Sequence, residues 1–228
     1  MSLTAEERSL IKEDYKEAVR FYHTKANKLV IASERLDKEQ RLSGAAIIEF
    51  RAVFAHLMRV NLVLFDLVNE SRIKEKTGLT LFEYCKKNID KAKGHLFRAA
   101  YDAYDVIAIN LAEKIMSYLD SFSSEALYTI IPGATQEISI PYREAQDVIS
   151  KAKEEKDIGT WEEEKQEFKE YERATIALKD ILSKIEEVLP DLVRYDSEST
   201  KKNKMHLLLA IGGIIVGIVG VCLAIFKK

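Results

Sequence analysis

Thr80 to Phe122 reads TLFEYCKKNIDKAKGHLFRAAYDAYDVIAINLAEKIMSYLDSF. It opens on a Thr whose hydroxyl can accept from the backbone three residues on, where Glu83 can reach back in return. That reciprocal capping box predicts a helix from Thr80 to about Phe122. The same signature occurs twice more. Thr4 with Glu7 predicts a helix to about Arg41, and Thr160 with Glu163 predicts one to about Leu189. Ser43-Gly44 breaks the chain before a further helix, roughly Ala45 to Lys74, which the Thr77-Gly78 turn stops. Alternating strand patterns are absent, apart from a short apolar stretch around Ile138 to Ile140. That stretch lies in Ser123 to Pro141, where Pro132-Gly133 and Pro141 forbid one continuous helix. The expected class is all-α: an antiparallel helical bundle, a charged helical hairpin or stalk, and one transmembrane helix.

The last of these is read from Met205 to Phe226, MHLLLAIGGIIVGIVGVCLAIF, a run without Asp, Glu, Lys or Arg. Its 22 residues would extend about 33 Å as a helix, enough to cross a hydrocarbon core of about 30 Å. Lys201, Lys202 and Lys204 precede it and Lys227 and Lys228 follow it, a bias that favours the N-terminal side as cytoplasmic. The charged opening MSLTAEERSLIKEDY does not read as a signal peptide. The sequence thus predicts a single-pass, tail-anchored protein with everything before Lys204 in the cytosol. Ala210, Gly213, Gly217, Gly220 and Ala224 fall along one seam of the anchor, and small residues there let two helix backbones approach closely. A homo-oligomer held in the bilayer is the expectation.

Four segments follow: a helical bundle over 1–122, a connecting loop and helical hairpin over 123–189, a polar linker over 190–204, and the membrane helix over 205–226. Within the hairpin, Phe168, Tyr171, Thr175, Leu178, Leu182, Ile185 and Leu189 recur at three or four residues, a coiled-coil-like stripe beside solvated charge. A turn is expected at Asp157-Ile158-Gly159. Phe97, Tyr101, Tyr104 and Tyr118 read as core aromatics, and Trp161 as packing against the hairpin turn.

Composition narrows the function. With 35 Lys plus Arg against 37 Asp plus Glu, the formal charge is −2, which argues against a broad nucleic-acid-binding surface. The two cysteines, Cys85 and Cys222, cannot make a disulfide framework and suit a reducing compartment. There is no glycine-rich phosphate loop, no G-x-S-x-G and no CxxC. No cofactor is expected, and without HExxH or paired ExxH no metal site is expected either.

The polar chemistry lies on two helices. His56-Leu-Met-Arg59 continues to Phe65-Asp66-Leu67, and His95-Leu-Phe-Arg98 continues to Tyr104-Asp105-Val106, 39 positions further on. On helical wheels Glu49, His56, Arg59, Asp66 and Glu70 share a face of the first, and His95, Arg98, Asp102 and Asp105 share a face of the second. Antiparallel packing across a short connection would bring His56 to Asp105, and Asp66 to His95 and Arg98, as a pseudo-two-fold network. Its two readings are a set of ion pairs that fixes register, and a polar cleft in which the histidines titrate and the arginines bind an anion.

Arg51-Ala-Val-Phe-Ala-His56 also fits R-x4-H. In an all-α context this resembles the HEPN superfamily of prokaryotic toxins, defence effectors and CRISPR-associated nucleases, over at most residues 4–122. The resemblance implies a metal-independent endoribonuclease in which two protomers bring paired Arg51 and His56 together. His56 would serve as acid or base, and Arg51 would steady phosphate charge. It further implies a bacterial or archaeal membrane, with RNA or a defence-system protein as partner. In one straight helix, however, Arg51 and His56 point about 140° apart. Two functions from different classes follow: a membrane-anchored, self-associating effector or scaffold, and a membrane-tethered HEPN-type ribonuclease.

Overall fold

A computed structural model describes residues 2–36, 44–155 and 168–199. Among these residues there are helices and turns but no strand. The helices are α1 (Ala5–Phe21), α2 (Asn27–Leu36), α3 (Gly44–Leu64), α4 (Glu70–Thr77), α5 (Leu81–Ser121), α6 (Ser124–Ile130), α7 (Ile140–Glu155) and α8 (168–199). One π-helical turn, Tyr22–Ala26, joins α1 to α2, and another, Thr135–Ser139, leads into α7.

The capping boxes at Thr4 and Thr80 both form. Thr4 N donates to Glu7 Oε2 at 2.8 Å, and Glu7 N donates to Thr4 Oγ1 at 3.2 Å. Thr80 N donates to Glu83 Oε2 at 2.9 Å, with the return bond at 3.3 Å. Two sequence expectations are corrected. The helix expected over 45–74 is two helices, because the chain turns after Leu64. Asp66 adopts φ +55°, a left-handed conformation that Asp tolerates better than most residues. Asn69 then caps α4 by accepting from Arg72 N at 3.1 Å, and Gly78, at φ +73°, ends it. The segment Ser123–Pro141 is largely helical. Ser123 caps α6, Gly133 makes the turn at φ +85°, and Ile138–Ile140 is helical rather than extended. Pro141 is the second residue of α7 and follows the π-helical turn directly, where the wider winding takes in a residue that has no amide hydrogen to give.

The residues group into two compact units, which do not follow the division at 122 and 189. The first comprises Met1–Ala112 and Glu144–Leu178. Its main core cluster gathers Leu3, just ahead of α1, with Ile11, Val60, Val63, Ile73, Leu81, Cys85 and Ile89 from α1, α3, α4 and α5. Each fully buried aliphatic chain there contributes about 1.5–3 kcal/mol over an exposed one. A second core is aromatic. Phe168 meets Phe21, Phe97, Tyr101 and Tyr104 with ring centroids 5.2–5.9 Å apart. Phe97, Tyr101 and Tyr104 are therefore the core aromatics expected. Phe168, Tyr171, Thr175 and Leu178 belong to this unit, and not to a separate stalk.

The second unit comprises Glu113–Arg143 and the chain from Lys179 onward. It buries Ile115, Ala126, Ile138, Ile185 and Leu192, and Lys114 pairs with Glu186 at 2.5 Å. Residues 190–199 continue α8 through Pro190, so the linker expected over 190–204 begins as helix. Proline in that position leaves the carbonyl one turn earlier without an intrahelical donor.

Arg41, Ser43, the Asp157-Ile158-Gly159 turn, the Thr160 cap, Trp161 and the run 205–226 with its small-residue seam lie outside the described residues. Among the described residues no helix is long and apolar enough to cross a membrane.

Candidate functional site

In the first unit α3 lies antiparallel to α5, and the two histidines meet between them. Their rings stack with centroids 5.4 Å apart and planes inclined by 21°. Asn88 Nδ2 donates to the Tyr84 carbonyl at 2.8 Å, which turns its Oδ1 toward His56. His56 therefore donates through Nδ1 to Asn88 Oδ1, at 2.9 Å. Arg59 Nη1 stands 3.2 Å from that nitrogen, as a positive neighbour rather than a donor to it. Across the pair, His95 Nδ1 donates to Glu49 Oε2 at 2.6 Å, and Arg98 Nε donates to the same oxygen at 3.1 Å. Arg98 Nη2 lies 2.7 Å from the imidazole nitrogen.

These contacts are related by a pseudo-two-fold. Glu49, His56 and Arg59 on α3 correspond to Asn88, His95 and Arg98 on α5, each offset by 39 positions. His56 finds its acceptor on α5, and His95 finds its acceptor on α3. Each histidine commits Nδ1 to the opposite helix, which leaves Nε2 as the nitrogen able to meet a ligand.

The expected symmetry is present, but the expected partners are corrected. His56 does not meet Asp105. Asp105 accepts instead from the Tyr171 hydroxyl and pairs with Lys153 at 3.3 Å. Asp66 does not meet His95 or Arg98; it sits in the turn after α3, paired with Arg8 at 2.5 Å. Arg8 also donates to the last carbonyl of α3, that of Leu64, at 2.7 Å. The cause is register. Because α3 ends at Leu64 and α5 begins at Leu81, facing positions are centred near residue 72, and the histidines meet the earlier turns of the opposite helix. Asp102 is half-buried on α5, one turn beyond Arg98.

Arg51 is not brought to this site. It is exposed on the outer face of α3, in line with exposed Ile47, Phe54 and Met58, whereas His56 is buried against α5. The R-x4-H pair is thus split between two faces, as the helical wheel predicts.

A cleft of about 740 Å³ opens over the site, with His56, His95, Arg98, Lys87 and Lys91 among its walls. Burial pushes the proton affinity of His56 below the usual imidazole value. Arg59, His95 and Lys91 add to this, and only the Asn88 bond opposes it. At neutral pH His56 is an uncharged imidazole surrounded by cations. The sequence places Glu49 on the His56 face but neither pairs it with His95 nor picks out Asn88, because the repeat was matched only from the histidines forward. Extending it seven positions back reaches both, as a Glu and an Asn that each offer an acceptor oxygen. Lys87 and Lys91 carry the helical spacing that places them with His95 and Arg98, a signal in the sequence that the repeat does not include.

Two other groups are structural. Cys85 is buried, and burial pushes its thiol up to about 12, which leaves it unreactive. Tyr171 is raised by burial and by its bond to Asp105. Among the described residues no cluster of three or more His, Cys, Asp or Glu is placed to hold a metal ion.

Comparison with family models, curated proteins and solved structures finds no match for this chain.

Proposed function

We propose that the chain is a membrane-anchored, self-associating helical effector or scaffold whose first unit binds an anionic ligand in the paired-histidine cleft. The observation that carries the binding half is the histidine pair itself. Of the two stacked imidazoles only His95 meets a carboxylate, that of Glu49, while His56 meets the neutral Asn88, and Arg59, Arg98, Lys87 and Lys91 stand around them. A register-fixing ion-pair set would balance its charges, and this cluster carries a surplus of cations. The anchoring half rests on the apolar run Met205–Phe226 and its seam of small residues. A place in prokaryotic antiviral defence follows only by analogy with the HEPN-like resemblance.

The test is made on the full chain purified in detergent. Its mass should exceed that of one protomer and fall when Gly213 and Gly217 are replaced by Ile. Orthophosphate should shift the histidine ring resonances of the wild-type chain and leave those of Arg98→Gln unmoved. Unchanged mass in the double variant would remove the seam, and unmoved resonances in the wild type would remove the anion.

A second reading, a metal-independent ribonuclease of HEPN type, is favoured by one observation. A histidine oriented by a carboxylate and stacked on a second histidine is an arrangement suited to acid–base work on a phosphodiester. In that reading His56 and His95 are the reacting pair and Arg51 is dispensable. Cleavage of RNA that persists in chelator and is lost in His95→Ala but kept in Arg51→Ala would establish it. Cleavage lost in both Arg51→Ala and His56→Ala would restore the R-x4-H pair instead.

A further inference from the structure

We propose that the paired-histidine cleft is a two-station polyphosphate site. Arg59 in one cleft, and Arg98 with His95 in the other, each hold one phosphoryl group of a single ligand, with Lys87 and Lys91 between them. The inference deepens the anion-binding reading above and rests on it.

The first support is the shape of the groove. The cleft of about 740 Å³ carries His56, His95 and Arg98, and a second cleft of about 280 Å³ carries Arg59 and Asn88. Lys87 and Lys91 line both, so the two clefts share a basic wall and offer one arginine each. The pseudo-two-fold makes the two arginines equivalent relative to the histidines. The stations differ in that Glu49 already pairs with Arg98 while Asn88 leaves Arg59 uncompensated, and two arginine stations side by side suit a ligand that repeats its charged group.

The second support is the charge inventory. Lys86 is taken up by Asp14 and Glu83 by the Thr80 cap, while Glu49 is shared by His95 and Arg98. Asp90 is the further acid on the wall. Among the described residues, Arg59, Lys87 and Lys91 have no acid within ion-pair distance. Guanidinium forks and flexible ammonium groups together match phosphate oxygens.

The third support is Gly94, one residue before His95 and on the wall of the cleft. Glycine in a helix interior is destabilising relative to alanine. Packing does not require it here, because a Cβ would lie 3.6 Å from Arg98 Nη1, an ordinary contact. What its absence provides is open space beside Arg98 for a ligand to approach the helix. The lining offers only Tyr84 as an aromatic ring besides the imidazoles. A row of stacked nucleobases needs more than that, so phosphate contacts define the ligand.

The test is calorimetric titration of the full-length chain in detergent with tripolyphosphate, with orthophosphate as control. Tripolyphosphate should bind one per chain and at least about tenfold more tightly than orthophosphate, and Arg59→Gln and Arg98→Gln should each remove about that factor. Gly94→Ala separates binding from folding: it should raise the melting temperature while weakening tripolyphosphate. A parallel titration with a short-chain phosphatidylinositol bisphosphate distinguishes the sources. Tighter binding than tripolyphosphate assigns the site to a lipid headgroup, and weaker binding assigns it to a soluble polyphosphate. Orthophosphate binding that needs Arg98 but shows no gain with tripolyphosphate would overturn the two stations and leave the single-anion reading standing. No binding of either would overturn both. A single-stranded RNA oligomer that binds and is not displaced by tripolyphosphate would also overturn the proposal.

Discussion

Replacing Asn88 by Ala isolates the bond that sets the histidine pair. Asn88 is 5% exposed and His56 is 9% exposed, so the imidazole N–H has little water to turn to when the amide oxygen is removed. An unsatisfied buried donor costs about 1–3 kcal/mol, and 2 is a fair central figure. Against this, alanine is the better helix former by about 0.6 kcal/mol in the interior of α5. The expected net loss is about 1.5 kcal/mol, which corresponds to a melting temperature lower by about 3–6 °C. The assay is thermal unfolding of the full chain in detergent, followed by far-UV circular dichroism. His56→Ala supplies the second arm. If the two residues are partners, the double variant loses about 1 kcal/mol less than the sum of the singles. Asp105→Ala is the control: it strands the Tyr171 hydroxyl and should add independently to His56→Ala. Additivity between Asn88 and His56, or coupling between Asp105 and His56, would refute the register described for α3 and α5.

Four other outcomes follow from the same geometry. Phe168→Ala removes the hub of the aromatic core and should cost about 3–5 kcal/mol in thermal unfolding; a loss below about 1 would show that the ring is not packed as described. Because the proton affinity of His56 is lowered by folding, the unfolded chain binds the extra proton first, and stability should fall as pH drops below about 6.5 toward the folded value. His56→Gln should flatten that slope in urea titrations at stepped pH, and an unchanged slope would refute the burial argument. Arg8→Ala should cost about 1 kcal/mol, because it frees the Leu64 carbonyl as well as Asp66. Asp66→Gly should be near neutral by the same melt, since relief at φ +55° offsets an exposed ion pair.

What the sequence made legible was local. Thr4 with Glu7 and Thr80 with Glu83 mark helix starts because cap and acceptor lie three residues apart, within reach of one turn. The all-α class and the split of Arg51 from His56 follow from helical spacing alone. Register was not local. Whether His56 meets Asn88 or Asp105 depends on where the chain reverses between α3 and α5. That is decided by Asp66 taking a left-handed conformation and by Asn69 capping a short α4, both weaker signals than the Thr77-Gly78 stop. Pro141 misled for a related reason: proline disrupts a regular α-helix, but the π-helical turn Thr135–Ser139 before it carries the helical path through, and nothing local in the sequence marks that turn. Phe168 and Tyr171 read as a stalk stripe because periodicity reports that a face is buried and not what buries it.

The duplicated Glu49–His56–Arg59 and Asn88–His95–Arg98 pattern has a consequence for stoichiometry. Where a symmetric site is assembled from two identical subunits, dilution dismantles it, and every measurement of occupancy becomes entangled with subunit concentration. Here both halves are supplied by a single polypeptide, so the histidine pair is complete in one protomer. Assembly state and site integrity are then separable variables. A preparation diluted to single protomers should keep the short contact between the two imidazole rings. Any concentration dependence in what the cleft does would have to arise elsewhere in the molecule.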